Sequence, residues 1–75
     1  MREAPWVDFA GNRIFEGDAI GHLAGECGVV KFLAEFADPS DQWRVDYGDG
    51  VLSRLCLQIG DKGQAVVIRA MPVTK

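Results

Sequence analysis

Apolar positions come in short alternating runs, and glycine or proline interrupts almost every one of them. The glycines fall at 11, 17, 21, 25, 28, 48, 50, 60 and 63, a spacing that rules out a long uninterrupted helix. Short runs of alternating or β-branched apolar residues between such turn signals read as strands. Residues 1–9 read as an extended arm with Trp6 and Phe9 as anchors, and 10–13 (AGNR) as a Gly-Asn turn. A turn at Glu16-Gly17-Asp18 precedes a strand over 18–23, with Ile20 as its core residue. Residues 24–28 reverse the chain. The next stretch, 29–36 (VVKFLAEF), puts Val30, Phe32, Ala34 and Phe36 on one face of a strand, or Val29, Phe32, Leu33 and Phe36 on one face of a helix. The β-branched pair after Gly28 favours the strand.

Residues 37–42 form the most polar loop, broken at Pro39. Trp43, Val45 and Tyr47 then alternate with Arg44 and Asp46, the period of a half-buried strand. Asp49-Gly50 supplies the positive-φ chemistry of a tight hairpin. The return strand spans 51–59, bulged near Ser53. A turn at 60–63, a last strand over 64–70 and a tail at 71–75 complete the chain. The pattern predicts an all-β protein of five short strands in a single domain, residues 1–75. A chain this short cannot stack two sheets of useful size, so one meander curled into a small SH3-like barrel buries one face and hides the edges.

Composition narrows the functional classes. The 75 residues are 48% hydrophobic and 25% charged, which is globular composition and long enough for one domain. No apolar run reaches the roughly 20 residues that span a bilayer, and residues 1–6 lack an apolar leader core, so a cytoplasmic location away from membranes is expected. The net charge is −3, and the basic residues Arg2, Arg13, Lys31, Arg44, Arg54, Lys62, Arg69 and Lys75 are scattered, which argues against nucleic acid as the partner. Cys27 and Cys56 make no disulfide framework and read as partly buried thiols. With His22 they offer three soft ligands where structural zinc takes four, so no metal or other cofactor is expected.

Catalytic chemistry finds little support. His22, the one histidine, lies five residues from Cys27 across a turn, so a Cys-His pair is geometrically open, but an exposed strand histidine is the commoner outcome. The acids Glu35, Asp38, Asp41, Asp46 and Asp49 lack the frame of a calcium loop and read as a solvated rim. No glycine stretch has phosphate-loop spacing. Trp43 either opens the core strand or caps the barrel mouth as a contact anchor beside Arg44. Trp, Tyr and Arg are the residues most often found at binding hot spots. The candidate binding residues are therefore Trp43, Arg44, Tyr47, Asp49 and Arg54, all around one hairpin.

Two stretches carry resemblances. Gly17, Asp18, Ile20, Gly25, Gly28 and Val30 follow the opening of KOW and related SH3-like modules; the turn is shorter and holds Glu26 where those modules carry basic residues, so their RNA role does not transfer. Asp8, Gly11, Ile14, Phe15, Glu16, Gly17, Asp18 and Ile20 resemble a phrase of small phage and prophage proteins, including the YopX-like group, which implies a mobile-element origin and no particular activity. Val45, Tyr47, Asp49 and Gly50 resemble the third-strand end of Tudor domains, whose cage would draw on Phe32, Phe36, Trp43 and Tyr47. Leu57-Gln58-Ile59-Gly60 is similar to part of the plasmid-type dihydrofolate reductase site but lacks its Tyr.

The expectation is a non-enzymatic binding module with a protein partner. A homodimer fits the same reading, since small barrels gain stability by covering an edge. The alternatives are a nucleic-acid-associated KOW-like or Tudor-like module with a patch at Lys31, Arg44 and Arg54, and a small oligomeric enzyme with its site at a subunit interface.

Overall fold

A computed structural model describes residues 2–68. The predicted tail at 71–75 and the end of the last predicted strand, 69–70, lie outside the described residues. Seven strands and two single helical turns follow one another: β1 (Glu3–Val7), β2 (Arg13–Phe15), β3 (Ala19–Gly21), β4 (Cys27–Phe32), α1 (Pro39–Gln42), β5 (Trp43–Asp46), β6 (Leu52–Arg54), α2 (Leu55–Gln58) and β7 (Val66–Ile68). The protein is mostly β. β1 and β2 form an antiparallel pair, and the other strands form one sheet in the order β6-β5-β4-β3-β7. All its pairings are antiparallel. Among the described residues neither sheet closes into a barrel, and no helix is long and apolar enough to cross a membrane.

The expected count of five strands is corrected to seven. The N-terminal arm is a strand, because Ala4 turns into the core and Arg13 clamps Glu3 through two hydrogen bonds of 2.8 and 2.9 Å. Residues 29–36 resolve as a strand that ends at Phe32; Leu33 opens a turn closed by the Phe36 amide, so Ala34 and Phe36 stay at the surface. The polar loop contains α1, capped by the Asp38 carboxylate on the Ser40 amide at 2.9 Å, with Pro39 at its first position where a missing N–H costs nothing. The strand expected over 51–59 stops at Arg54 and gives way to α2. Leu55 and Ile59 are one helical turn apart and both buried, whereas Leu57, which a strand would have turned the same way, is 64% exposed.

The core gathers Ile14, Ile20, Val30, Val45, Leu55 and Ala65, all fully buried, with Trp43, Ala4 and Ile59 around them. The buried positions of β4 (Gly28, Val30) and of β5 (Trp43, Val45) recur every second residue, the period of a strand, and β1 and β2 each turn one residue inward, Ala4 and Ile14. Asp8 is the one buried charged residue among those described. Its carboxylate accepts from the amides of Ala10, Asn12 and Val67 at 2.9, 2.7 and 2.8 Å and from Asn12 Nδ2 at 3.1 Å. This ties the β1–β2 turn to β7, and the Phe9 amide adds a bond to the Ala65 carbonyl. Asp18 similarly closes the β2–β3 corner by accepting the Phe15 amide at 2.9 Å. The stretch from Asp8 to Ile20 thus supplies turn closers (Asp8, Gly11, Gly17, Asp18) and core (Ile14, Ile20).

Candidate functional site

Alternation sends Trp43 and Val45 of β5 inward and Arg44 and Asp46 outward. On the outer face, register aligns Lys31, Arg44 and Arg54 across β4, β5 and β6. The next row holds Leu52, Asp46, Val29, Ala19 and Ile68 across all five strands. Three basic side chains that are far apart in sequence are therefore neighbours. Asp41, on α1, answers two of them: its carboxylate lies 2.9 Å from Arg54 Nη2 and 3.4 Å from Arg44 Nη2. Arg44 also donates to the Asp41 carbonyl at 2.8 Å and the Leu52 carbonyl at 3.0 Å. Asp38 stands close by: Ser40, through its hydroxyl and its amide, holds the Asp38 carboxyl below its usual value, and the charge of Arg54 adds to this.

The five candidate residues divide accordingly. Trp43 is 3% exposed and meets Phe32 edge to face at 5.1 Å, so it belongs to the core and is no contact anchor. Arg44 is largely committed to holding α1 against β5 and β6. Arg54 keeps its guanidinium half exposed. Asp49 is exposed and closes its own loop by accepting the Val51 amide at 3.0 Å. The expected tight hairpin is a five-residue loop, 47–51, and its positive φ values sit on Gly48 and Gly50 and not on Asp49. Asp46 caps the loop's entry by accepting the Gly48 amide at 2.8 Å.

Tyr47 leaves the strand and points into a polar cluster absent from the sequence reading. Its hydroxyl meets His22 Nε2 and lies 2.9 Å from Gln58 Oε1. His22 Nδ1 lies 2.9 Å from the Gly63 carbonyl. Both ring nitrogens are thus engaged, and the Cys27 thiol faces the Gly25 carbonyl at 3.7 Å, so no Cys-His pair forms. Cys27 is exposed, against the expectation of a partly buried thiol; Cys56 is half-buried. The Tyr47 ring crosses β4 over Gly28, where a Cβ would stand 2.8 Å from the ring and 2.5 Å from Val45 Cγ1. Burial, then the nearby Glu26 charge, raises the Tyr47 pKa. The residues that meet Tyr47 come from separate elements, and no sequence spacing marks them.

The aromatic cage is not assembled. Phe32 pairs with Trp43 under the Arg2 guanidinium at 4.1 Å, Tyr47 turns to His22, and Phe36 stands 5.6 Å from the Arg44 guanidinium. Beside the basic row, Ala19, Cys27, Val29, Asp46 and Tyr47 line an open groove of about 380 Å³ on the outer face. No protein-family model, curated protein or solved structure matches the chain.

Proposed function

We propose that the chain is a non-enzymatic binding module of SH3-like barrel type that engages a protein partner through the outer face of its five-stranded sheet. The strand order supports the SH3-like part: four strands meander, a helical turn follows, and the last strand returns beside the first of the sheet. One observation carries the partner. Val29 and Ile68, 40% and 44% exposed, flank Ala19 in one register row, and Lys31 projects from the same face of β4 beside Val29. That combination fits a polypeptide bearing an apolar side chain with a carboxylate next to it. The phage-like phrase supports an origin on a mobile element.

The test is capture of one partner by the native chain and by Val29→Asp, Lys31→Glu and Leu57→Asp. Capture lost with the first two and kept with the third, all three folded by circular dichroism, supports the outer face. Equal capture by all four chains sinks it.

Nucleic acid is the second reading, favoured by the alignment of Lys31, Arg44 and Arg54. Asp38 and Asp41 beside them reduce three positive charges to a formal +1 (3 − 2), which weakens the pull on phosphate. Duplex DNA binding whose log affinity falls with log salt at a slope of about −2.7, three phosphates at ~0.9 each, would reverse the order of the two readings.

A further inference from the structure

We propose that His22 is a proton-operated latch between the five-stranded sheet and the segment from α2 to β7, closed when the imidazole carries both protons. Counting the protons from their partners leads there. The Gly63 carbonyl only accepts, so His22 Nδ1 carries a hydrogen. Gln58 Nε2 donates to the Arg54 carbonyl at 3.3 Å, which leaves Oε1 facing Tyr47. Oε1 only accepts, so the single Tyr47 proton goes to Gln58. The Tyr47 oxygen then presents a lone pair to His22 Nε2, which must donate. Every contact in the chain Gly63, His22, Tyr47, Gln58, Arg54 is satisfied only by an imidazolium whose second proton comes from solvent.

The neutral ring cannot complete it. With Nδ1–H retained, Nε2 takes the Tyr47 proton, and two oxygens, Tyr47 Oη and Gln58 Oε1, face each other with no hydrogen between them. Turning the Gln58 amide over restores that contact and breaks the one to Arg54. One hydrogen bond is lost either way, and Gln58 is where the loss falls.

Gln58 matters to the segment it starts. The Ala65 amide donates to the Gln58 carbonyl at 2.9 Å, the contact that leads into β7. Gly63 lies so close to the Gln58 backbone that a Cβ there would come within 2.1 Å of its carbonyl oxygen. Gln64, between them, is the one non-glycine among the described residues with positive φ, at 51°. A tightly packed, left-handed connection is thus held by a side-chain chain that depends on one proton. The charged and titratable groups on the surrounding elements are Glu26 and Cys27 at the β3–β4 turn, Asp46 and Tyr47 at the end of β5, Arg54 and Cys56 at α2, and Asp61 and Lys62 in the turn to Gly63. The latch does not rest on the outer-face reading.

His22 is the one histidine, so its ring ¹⁵N signals report a single titration. In the native chain both ring nitrogens should read as N–H at low pH. Hydrogen-exchange protection of the Ala65 and Ile59 amides should fall roughly two- to tenfold, the range of one hydrogen bond, as pH rises through that titration. In Gln58→Met the Tyr47 proton is free to serve a neutral ring, and the pH response of those amides should vanish. Protection in the native chain that ignores the His22 titration overturns the latch without any variant. So does a response that persists unchanged in Gln58→Met.

Discussion

Asp8 shows how much one short side chain can organise. Burial by itself would raise its pKa, but the amides of Val67, Asn12 and Ala10 and the Asn12 side chain outweigh it and hold the carboxyl below the ordinary value. Folding therefore favours the ionised form. That contribution is complete above the unfolded carboxyl's pKa, ordinarily 3.8, and is lost as pH falls through the lower folded value. In urea titrations the native chain should lose stability steeply below about pH 4, and Asp8→Asn should flatten part of that loss. Glu3, lowered by Arg13, and Asp38, lowered by Ser40, account for some of the remainder. Trp43 is the second decisive residue. Truncating a buried Trp costs about 3–5 kcal/mol, and a domain of this size holds on the order of 5 in total. Trp43→Ala should leave the chain largely unfolded at room temperature, seen as loss of the cooperative thermal transition. Its alternation with Val45 was legible in the sequence, but whether its ring faced core or partner depended on Phe32, across the register of another strand.

At the scale of elements, alternation located β4 and β5, where apolar residues recur every second position over a turn-bounded run, and the flanking turn signals located β3 around Ile20. It failed where an element is too short for a period to show. β2 is three residues long, and its one buried residue, Ile14, gives no pattern. In α2 the spacing of Leu55 and Ile59 fits a helix, but Leu57 between them reads equally as the middle of an apolar strand. Glycines act on this scale too. Gly28 leaves room for the Tyr47 ring, so Gly28→Ala should destabilise by about 1–3 kcal/mol through displacement of Val45 and Tyr47. A drop in the urea midpoint with unchanged slope would show it. Arg44 and Arg54 face each other across β5 and β6, and Asp41 relieves their repulsion. Asp41→Asn should cost about 0.5–1 kcal/mol at low salt, and less at high salt where the exposed pair is screened.

For the whole molecule, the main distinction is between the two faces of the sheet. Val29 and Val30 are adjacent and chemically identical, yet one is 40% exposed and the other fully buried. Val29→Asp should change stability by no more than about 0.5 kcal/mol, whereas Val30→Asp should abolish folding by burying an unpaired charge. Circular dichroism and chemical denaturation of the pair decide it. The same comparison defines a control for the binding proposal, since a folded Val29→Asp chain tests the outer face without disturbing the core.

The sequence by itself determined the class: short glycine-bounded runs make strands, a chain of this length makes one domain, and period placed Val30, Trp43 and Val45 of the core on the apolar faces of their strands. It also indicated the turns, because Asp18 and the glycines act on neighbours within a few residues. Tertiary structure alone decided what meets across strands. Asp8 reaching Val67, Lys31 aligning with Arg44 and Arg54, and His22 joining Tyr47, Gln58 and Gly63 are contacts between residues 10 to 59 positions apart. Register sets them, and a register is a relation between strands that no local run of residues encodes.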